Sequence, residues 1–253
     1  MDIILNEKIY VESILESQYT GGKTTEILNR LAKYYSHYGY PKKKISELLE
    51  DFLVKRDPSI NIFKLQGLID KIASNAGKYE LIQIDGVPIT YKEIDMVKSI
   101  KGIRAQRVMF TLICLAKYNN LVNKKNNNWV NANDKDIFRL ANTAVPNKTQ
   151  SLILNDLFVD GYISFSHIID NMNIRIENID TEGKEVLFIT DFRNLGNQYM
   201  KYLGGDYIEC AECGLVVKVN KGVRGRPQKY CKDCYVIVNK SNALDRYYYR
   251  LNM

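Results

Sequence analysis

The sequence has no run of apolar residues long enough to cross a bilayer, which takes roughly 20 of them in a helix. Histidine is scarce: the chain has two, and neither has another histidine or a cysteine nearby at the spacing of metal ligands. The acids form no compact cluster in sequence of the kind that holds magnesium, and no nucleophile motif of a hydrolase is visible. These absences argue against a membrane protein and favour binding over catalysis.

The first residues, MDIILNEKIYVESILESQ, carry acids where a secretion signal carries basic residues. We therefore expect a cytoplasmic protein, kept in the cytosol of a bacterial host. In a reducing cytosol, clustered cysteines are more often metal ligands than disulfides.

Cysteine is also rare, yet four of the five lie in one segment, ECAECGLVVKVNKGVRGRPQKYCKDCY. Each pair has two residues between its members, and 17 residues separate Cys213 from Cys231. Two such pairs close a tetrahedral shell without an exchangeable position, which predicts a structural Zn²⁺ bound by Cys210, Cys213, Cys231 and Cys234. An iron site with four thiolates and a metal-free or disulfide-linked segment are the alternatives. Cys114, in the apolar run VMFTLICLAKY, is interpreted as a buried small hydrophobe.

Positive charge is concentrated in the same part of the chain. Residues 210–253 contain nine Lys and Arg against three acids, so they carry +6 of the total of +7. This asymmetry indicates a polyanionic partner, with nucleic acid first and a membrane surface second, whereas a solvated basic tail is the alternative.

The residues expected to contact nucleic acid in this segment lie on a loop and on the tail, and they are Lys221, Arg224, Arg226, Lys229, Arg246, Tyr248 and Arg250. The cations suit phosphates and the tyrosine suits an exposed base. Docking of the tail tyrosines on the protein itself is an equal alternative.

Residues 1–100 are interpreted as a helical domain, because three segments carry apolar residues at helical spacing. One of these stripes consists of Ile27, Leu28, Leu31, Tyr35 and Tyr38. We expect the three helices to pack on one another. Asp85-Gly86 lies between two β-prone runs and predicts a hairpin, which makes a first winged helix a further interpretation of this domain. Thr90 and Glu93 predict a capping box that opens the next helix.

Residues 101–190 predict a helix, a short strand at Trp129, a second helix, a turn, a third helix and two strands. This order resembles a winged helix-turn-helix. The resemblance implies that the third helix meets a major groove through the candidates Asn147, Lys148, Gln150 and Ser151, and that Arg175 on the wing contacts a phosphate or the minor groove. Winged helices also serve as protein-binding units, and that alternative stays open.

A connecting helix is expected at 191–205, stopped by Gly204-Gly205, and 206–253 resembles a zinc ribbon followed by a basic, Tyr-rich tail. The predicted fold class is α+β, mainly helical.

The assembly resembles nucleic-acid-binding proteins of bacteria and phages, of the replication-initiation or regulatory type, which implies DNA as the favoured partner. A protein-interaction adaptor or inhibitor that docks on a nucleic-acid-processing or defence complex is one alternative. A nucleic-acid enzyme with a dispersed acidic site is another. Nothing in the sequence sets an oligomeric state.

Overall fold

The computed structural model describes residues 3–16, 24–166, 173–220 and 227–240. Over these ranges the protein is mainly helical with small antiparallel sheets, which confirms the predicted α+β class. The chain divides into two compact units, Ile4–Asp85 and Gly86–Met253, the latter together with Met1–Ile3. A search of the described helices finds none with the length and apolar character of a membrane span.

The N-terminal unit is a group of packed helices. They are α1 (Glu7–Glu16), α2 (Thr24–His37), α3 (Lys42–Arg56) and α4 (Ile62–Asn75), followed by a short 3-10 helix (Ala76–Lys78). Their core consists of aliphatic residues at helical spacing, and the predicted packing of the three stripes is confirmed. Tyr38, which the periodicity places in the buried stripe of α2, is 48% exposed, because the helix ends at His37 and the chain then leaves the helical face.

The hairpin predicted at Asp85-Gly86 is wrong. The segment before Asp85 does not pair with the segment after Gly86. Its residue Gln83 instead forms an antiparallel bridge with Asn6, near the start of the chain. The run after it, β1 (Val87–Thr90), pairs antiparallel with β5 (Glu185–Ile189). Both runs have partners distant in sequence, which local turn preference does not reveal. The interpretation of residues 1–100 as a first winged helix thus loses the hairpin on which it depended.

A capping box opens the first helix of the second unit, α5 (Tyr91–Ser99), as predicted. The Thr90 hydroxyl accepts from the Glu93 amide, and the Glu93 carboxylate accepts from the Thr90 amide. The same buried carboxylate accepts two hydrogen bonds from the Lys117 ammonium at 2.9 and 3.0 Å. Lys117 lies on α6 (Ile103–Val122), so this satisfied ion pair joins α5 to the helix at the centre of the unit.

The elements that follow α6 have the predicted order. They are β2 (Trp129–Val130), α7 (Asp134–Leu140), α8 (Asn147–Val159), β3 (Ile163–Phe165) and β4 (Ile174–Ile176). The three strands form one antiparallel sheet in the order β2-β4-β3. Cys114, inside α6, is fully buried, and burial raises the pKa of its thiol, which agrees with its interpretation as a small hydrophobe.

The last described elements carry the cysteine pairs. After β5 come α9 (Leu195–Tyr202), β6 (Tyr207–Glu209) and β7 (Val216–Lys218), and residues 232–240 are helical. β6 and β7 form an antiparallel hairpin. α9 packs against α6 on one side and against this hairpin on the other, so it connects the cysteine segment to the centre of the unit.

Candidate functional site

The four predicted cysteines come together. Their sulfur atoms all lie within 4.8 Å of one another, and those of Cys213 and Cys231 are 3.9 Å apart. A tetrahedral ion with metal–sulfur bonds of about 2.3 Å requires sulfur atoms about 3.8 Å apart. Cys210, Cys231 and Cys234 are buried and Cys213 is half-buried. The donor set and its spacing therefore fit a four-coordinate metal ion.

The first cysteine pair lies at the tip of the β6–β7 hairpin. The amide of Gly214 donates to Cys210 O at 2.9 Å, and the amide of Cys210 donates to Leu215 O at 3.0 Å. This tight turn requires a positive φ at Gly214, which is +72° and suits a residue without a Cβ. The strands thus hold Cys210 and Cys213 on one turn with both sulfur atoms on the same side.

The second cysteine pair, Cys231 and Cys234, lies where the helix at 232–240 begins. The amide of Cys234 donates to the Cys231 sulfur at 3.5 Å, and the amide of Ala211 donates to Lys229 O at 2.9 Å, which joins the two halves.

Neighbouring groups in the cluster shift the pKa values of Cys210 and Cys234. Burial raises the pKa of Cys210, but hydrogen bonds with the backbone of Cys231, Cys213 and Glu212 outweigh it and lower that pKa to about 6. A hydrogen bond with Cys231, together with burial, raises the pKa of Cys234 well above its usual value. Like charges this close cannot all form unless a cation neutralises them. The cluster therefore has the electrostatics of a metal site.

The segment around the cluster has little apolar core of its own. Its buried cluster consists of three cysteines, with Cys213, Leu215, Val217 and Tyr230 partly buried against them. So small a core stabilises a fold weakly, and small domains of this kind are usually held by metals or disulfides.

Helix α9 anchors the cysteine segment through polar contacts. The buried Asn197 side chain donates to Val216 O on β7 at 2.9 Å. The Arg193 guanidinium donates to Cys213 O at 2.6 Å and forms an ion pair with Asp191 at 2.7 Å. These bonds hold the backbone next to the first cysteine pair, so the segment is fixed to α9.

The same asparagine also reaches the turn before α8. Its Oδ1 accepts from Arg107 Nη2 at 3.1 Å and from Asn142 Nδ2 at 2.9 Å. Arg107 also donates to Ala141 O at 3.0 Å and to Asn142 O at 2.6 Å. Asn142 has a positive φ of +47°, a conformation that asparagine tolerates. Hydrogen bonds thus run from β7 through Asn197 to the turn that positions α8.

The candidate residues on α8 lie at its N-terminal end. Asn147, Lys148 and Ser151 are exposed. Gln150 is half-buried, and its side chain donates to Val145 O at 3.1 Å, so its amide is partly engaged. The first turn of α8 contains no acid. Asn147, Lys148 and Ser151 therefore form one exposed surface, and the first turn of α8 adds no negative charge to it.

Arg175 lies in β4, the middle strand of the sheet, where Trp129 and Ser164 are its neighbours across the strands. Its guanidinium is half-buried and lies 3.6 Å from the Glu177 carboxylate. Residues 167–172, which join β3 to β4, are outside the described residues. Arg175 is therefore at the base of the predicted wing, beside an acid.

The basic candidates near the cysteines are described in part. Lys229 is exposed next to the second pair. The other candidates for nucleic-acid contact in this part of the chain lie outside the described residues, in 221–226 and 241–253. They are the basic residues Lys221, Arg224, Arg226, Arg246 and Arg250, and Tyr248.

Sequence reasoning missed Arg107, Arg193 and Asn197, which connect the cysteine segment to the turn at Ala141 and Asn142. Arg107 and Asn197 are 90 positions apart, and Arg193 and Cys213 are 20 apart. Each of these residues is an ordinary polar residue within its own helix or loop. No local pattern distinguishes them, because their roles depend on the packing of distant elements.

Within the described ranges, the four cysteines are the one group of three or more His, Cys, Asp or Glu side chains close enough to share a metal ion. Comparisons with protein-family models, with curated proteins and with solved structures give no match for this chain.

Proposed function

We propose that the protein is a zinc-containing nucleic-acid-binding protein that binds DNA, of the replication-initiation or regulatory type of bacteria and phages. The observation that carries this proposal is the start of α8, where Asn147, Lys148 and Ser151 form an exposed polar surface behind a turn held by Arg107. An exposed helix start without acids in its first turn suits entry into a major groove.

In this proposal, residues from α6 to β4 act as a winged helix. Asn147 is suited to pair with an adenine edge, and Lys148 to contact a phosphate or guanine. Arg175, paired with Glu177, contributes less to phosphate binding than an unpaired arginine would. The protein binds and does not catalyse, and it acts in the cytoplasm.

Zinc is the metal we propose for the cysteine cluster, with a structural role. Zinc supplies a centre that neutralises and orients the four thiolates, which fixes residues 206–240 against α9. In this proposal, the basic residues of 206–253 bind the nucleic-acid backbone or a single strand. The protein as purified is expected to contain one zinc per chain by elemental analysis. Stoichiometric iron, or no metal with free thiols, would refute this assignment.

The DNA proposal is tested with metal-loaded protein and labelled duplex DNA, single-stranded DNA and RNA across a salt series. A variant combining Asn147→Ala, Lys148→Ala and Ser151→Ala is expected to bind duplex about tenfold or more weakly, with the slope of log affinity against log salt reduced by about 1. The control is Lys184→Ala, which removes an exposed lysine beside β5 and outside α8. Absence of binding at low salt, or equal duplex affinity of the α8 variant and the wild type, would contradict the proposal.

A protein-interaction adaptor is the second candidate, favoured by the helix at 232–240. Tyr235 and Ile237 are each 59% exposed there, and Val236 is 47% exposed. Exposed apolar residues beside a metal site suit docking on a nucleic-acid-processing or defence complex. Such docking depends weakly on salt, whereas phosphate binding weakens steeply as salt rises, so the salt series separates the two candidates.

A further inference from the structure

A groove lined by tyrosines lies at the end of α2 in the N-terminal unit. Its volume is about 440 Å³, and its walls are Tyr34, Tyr35, Tyr38, Gly39, Tyr40 and Pro41. It contains none of the residues to which the proposed function assigns a role.

Local sequence explains why these rings come together. The Tyr38 amide donates to Tyr34 O at 3.2 Å, which keeps Tyr38 beside the last turn of α2 and brings its ring next to that of Tyr34. Gly39, with a φ of +79°, ends α2: its amide donates to Ser36 O, and the Tyr40 amide donates back to Tyr35 O. This is the Schellman arrangement, which returns the residue after the glycine to the last turn of the helix. Tyr40 therefore lies beside Tyr35.

The rings form two neighbouring pairs. The Tyr34 and Tyr38 centroids are 4.8 Å apart, and those of Tyr35 and Tyr40 are 5.8 Å apart. Tyr38 is 48% exposed and Tyr40 is 45% exposed, although both are large aromatic residues. Exposed aromatic faces in a groove are platforms on which nucleobases stack, largely regardless of base identity.

Positive charge borders one end of the groove. Pro41 is followed by Lys42, Lys43 and Lys44, all exposed, in the first turn of α3. The ammonium of Lys44 pairs with Glu47 at 3.2 Å, whereas Lys42 and Lys43 form no ion pair with a described residue. A helix dipole disfavours cations in the first turn, so an external anion would stabilise this arrangement.

Charges of both signs lie beside Tyr34 and Tyr38. The Tyr34 hydroxyl donates to the Glu12 carboxylate at 3.4 Å, and Tyr38 forms a hydrogen bond with Lys8. A nucleic acid bound here would place phosphates near Lys42 and Lys43 and its bases along the tyrosines. A proline-rich peptide also suits an aromatic groove, but it would make no use of the lysines.

We propose that this groove binds single-stranded nucleic acid, with bases stacked on Tyr38 and Tyr40 and phosphates beside Lys42 and Lys43. The inference rests on the proposed nucleic-acid role and adds a single-strand site in the N-terminal unit, separate from α8 and from the cysteine segment.

The test uses the full-length, metal-loaded protein and a labelled oligothymidylate of about twelve nucleotides, within the site sizes of single-strand binders. The double variant Tyr38→Ala with Tyr40→Ala is expected to bind it about tenfold or more weakly, because each stacked base is lost with its ring. Replacing both tyrosines by phenylalanine keeps the aromatic faces and is expected to preserve affinity. The matched control is Tyr79→Ala, which removes a tyrosine that is 70% exposed in the same unit but outside the groove.

Photo-crosslinking locates the site directly. An oligonucleotide carrying 5-iodouracil is irradiated with the protein, and the adducts are identified by mass spectrometry. Adducts on Tyr38 or Tyr40 support the inference. It is overturned by adducts confined to the cysteine segment and tail, by equal affinity of the alanine variant and the wild type, or by a proline-rich peptide that occupies the groove and is not displaced by the oligonucleotide.

Two comparisons separate this inference from the proposed function. The groove variant is expected to keep duplex binding, and the α8 variant is expected to keep the tyrosine adducts. If adducts form on the tyrosines while duplex binding is absent, the proposal that α8 recognises duplex DNA is refuted and the proposal of single-strand binding in the groove is supported. If duplex binding depends on α8 while no tyrosine adduct forms, the proposal of single-strand binding in the groove is refuted and the proposed function is supported.

Discussion

The helical unit of Ile4–Asp85 buries thirteen residues in its core cluster, all of them apolar, whereas the cluster buried in residues 206–240 consists of three cysteines. We call residues 206–240 the metal module. Burial of aliphatic side chains stabilises the helical unit in proportion to the apolar area removed from water. The described residues of the metal module bury little such area, so we expect its stability to depend on bonds between its sulfur atoms and a metal ion. The two parts of the chain are thus expected to fold for different physical reasons.

The strongest test of this contrast is to remove the metal ligand Cys231 by Cys231→Ser. Structural zinc binding contributes about 10–16 kcal/mol of apparent free energy in small metal-folded domains, and most of it is expected to be lost. Metal content should fall well below one equivalent. Hydrogen exchange should show that the amides of β6 and β7 lose protection while those of α2, α3 and α4 keep theirs.

Cys114→Ala is the control for that experiment, since Cys114 is buried in α6 and is not part of the cluster. It should retain one equivalent of metal and a protected β6–β7 hairpin. Retention of metal and protection in the Cys231→Ser variant would show that the module is held by something other than its four thiolates.

The reverse test removes apolar volume from the helical unit. Leu49→Ala creates a cavity at a side chain with no exposed surface, and we expect the unit to lose about 2–5 kcal/mol of unfolding free energy while metal content stays at one equivalent. Val54→Ala, on the same helix but 44% exposed, should cost much less. The measurement is urea unfolding followed by hydrogen exchange in α3 and α4. If both substitutions cost the same, the assigned core is wrong.

Sequence predicts the parts of this molecule that depend on neighbouring residues. The cysteine spacing, the aliphatic stripes and the Thr90–Glu93 capping box are visible as patterns within short segments of sequence, and the cysteine cluster, the helical core and the capping box are found in the structure. The pairing of β1 with β5 and the bonds from Arg107 to Asn197 depend on residues about a hundred positions apart. Local preference carries no information about such partners. The hairpin expected at Asp85-Gly86 failed for that reason.

Asn197→Ala tests whether the metal module also depends on α9. The substitution removes the hydrogen bonds that the buried Asn197 side chain makes with Val216 O and with Arg107, which costs about 1–3 kcal/mol. We expect faster hydrogen exchange in β7 of the metal-loaded protein, with metal still bound. Asn178→Ala, at an exposed asparagine of the same unit, is the control. Unchanged exchange in β7 would mean that the metal alone determines the stability of the module.

The smallest expected effect comes from a helix cap in the N-terminal unit, Asn61→Ala. The Asn61 side chain accepts from the Lys64 amide at 3.4 Å at the start of α4, a long hydrogen bond, so we expect a loss of about 0.5–1 kcal/mol in urea unfolding. Asn61→Asp keeps an acceptor at the cap and should restore stability. Because the helical unit is stabilised mainly by burial, metal content and β6–β7 protection should be unaffected. A cap variant that loses as much stability as Leu49→Ala would contradict that account, since α4 would then depend on its first turn more than on its buried face.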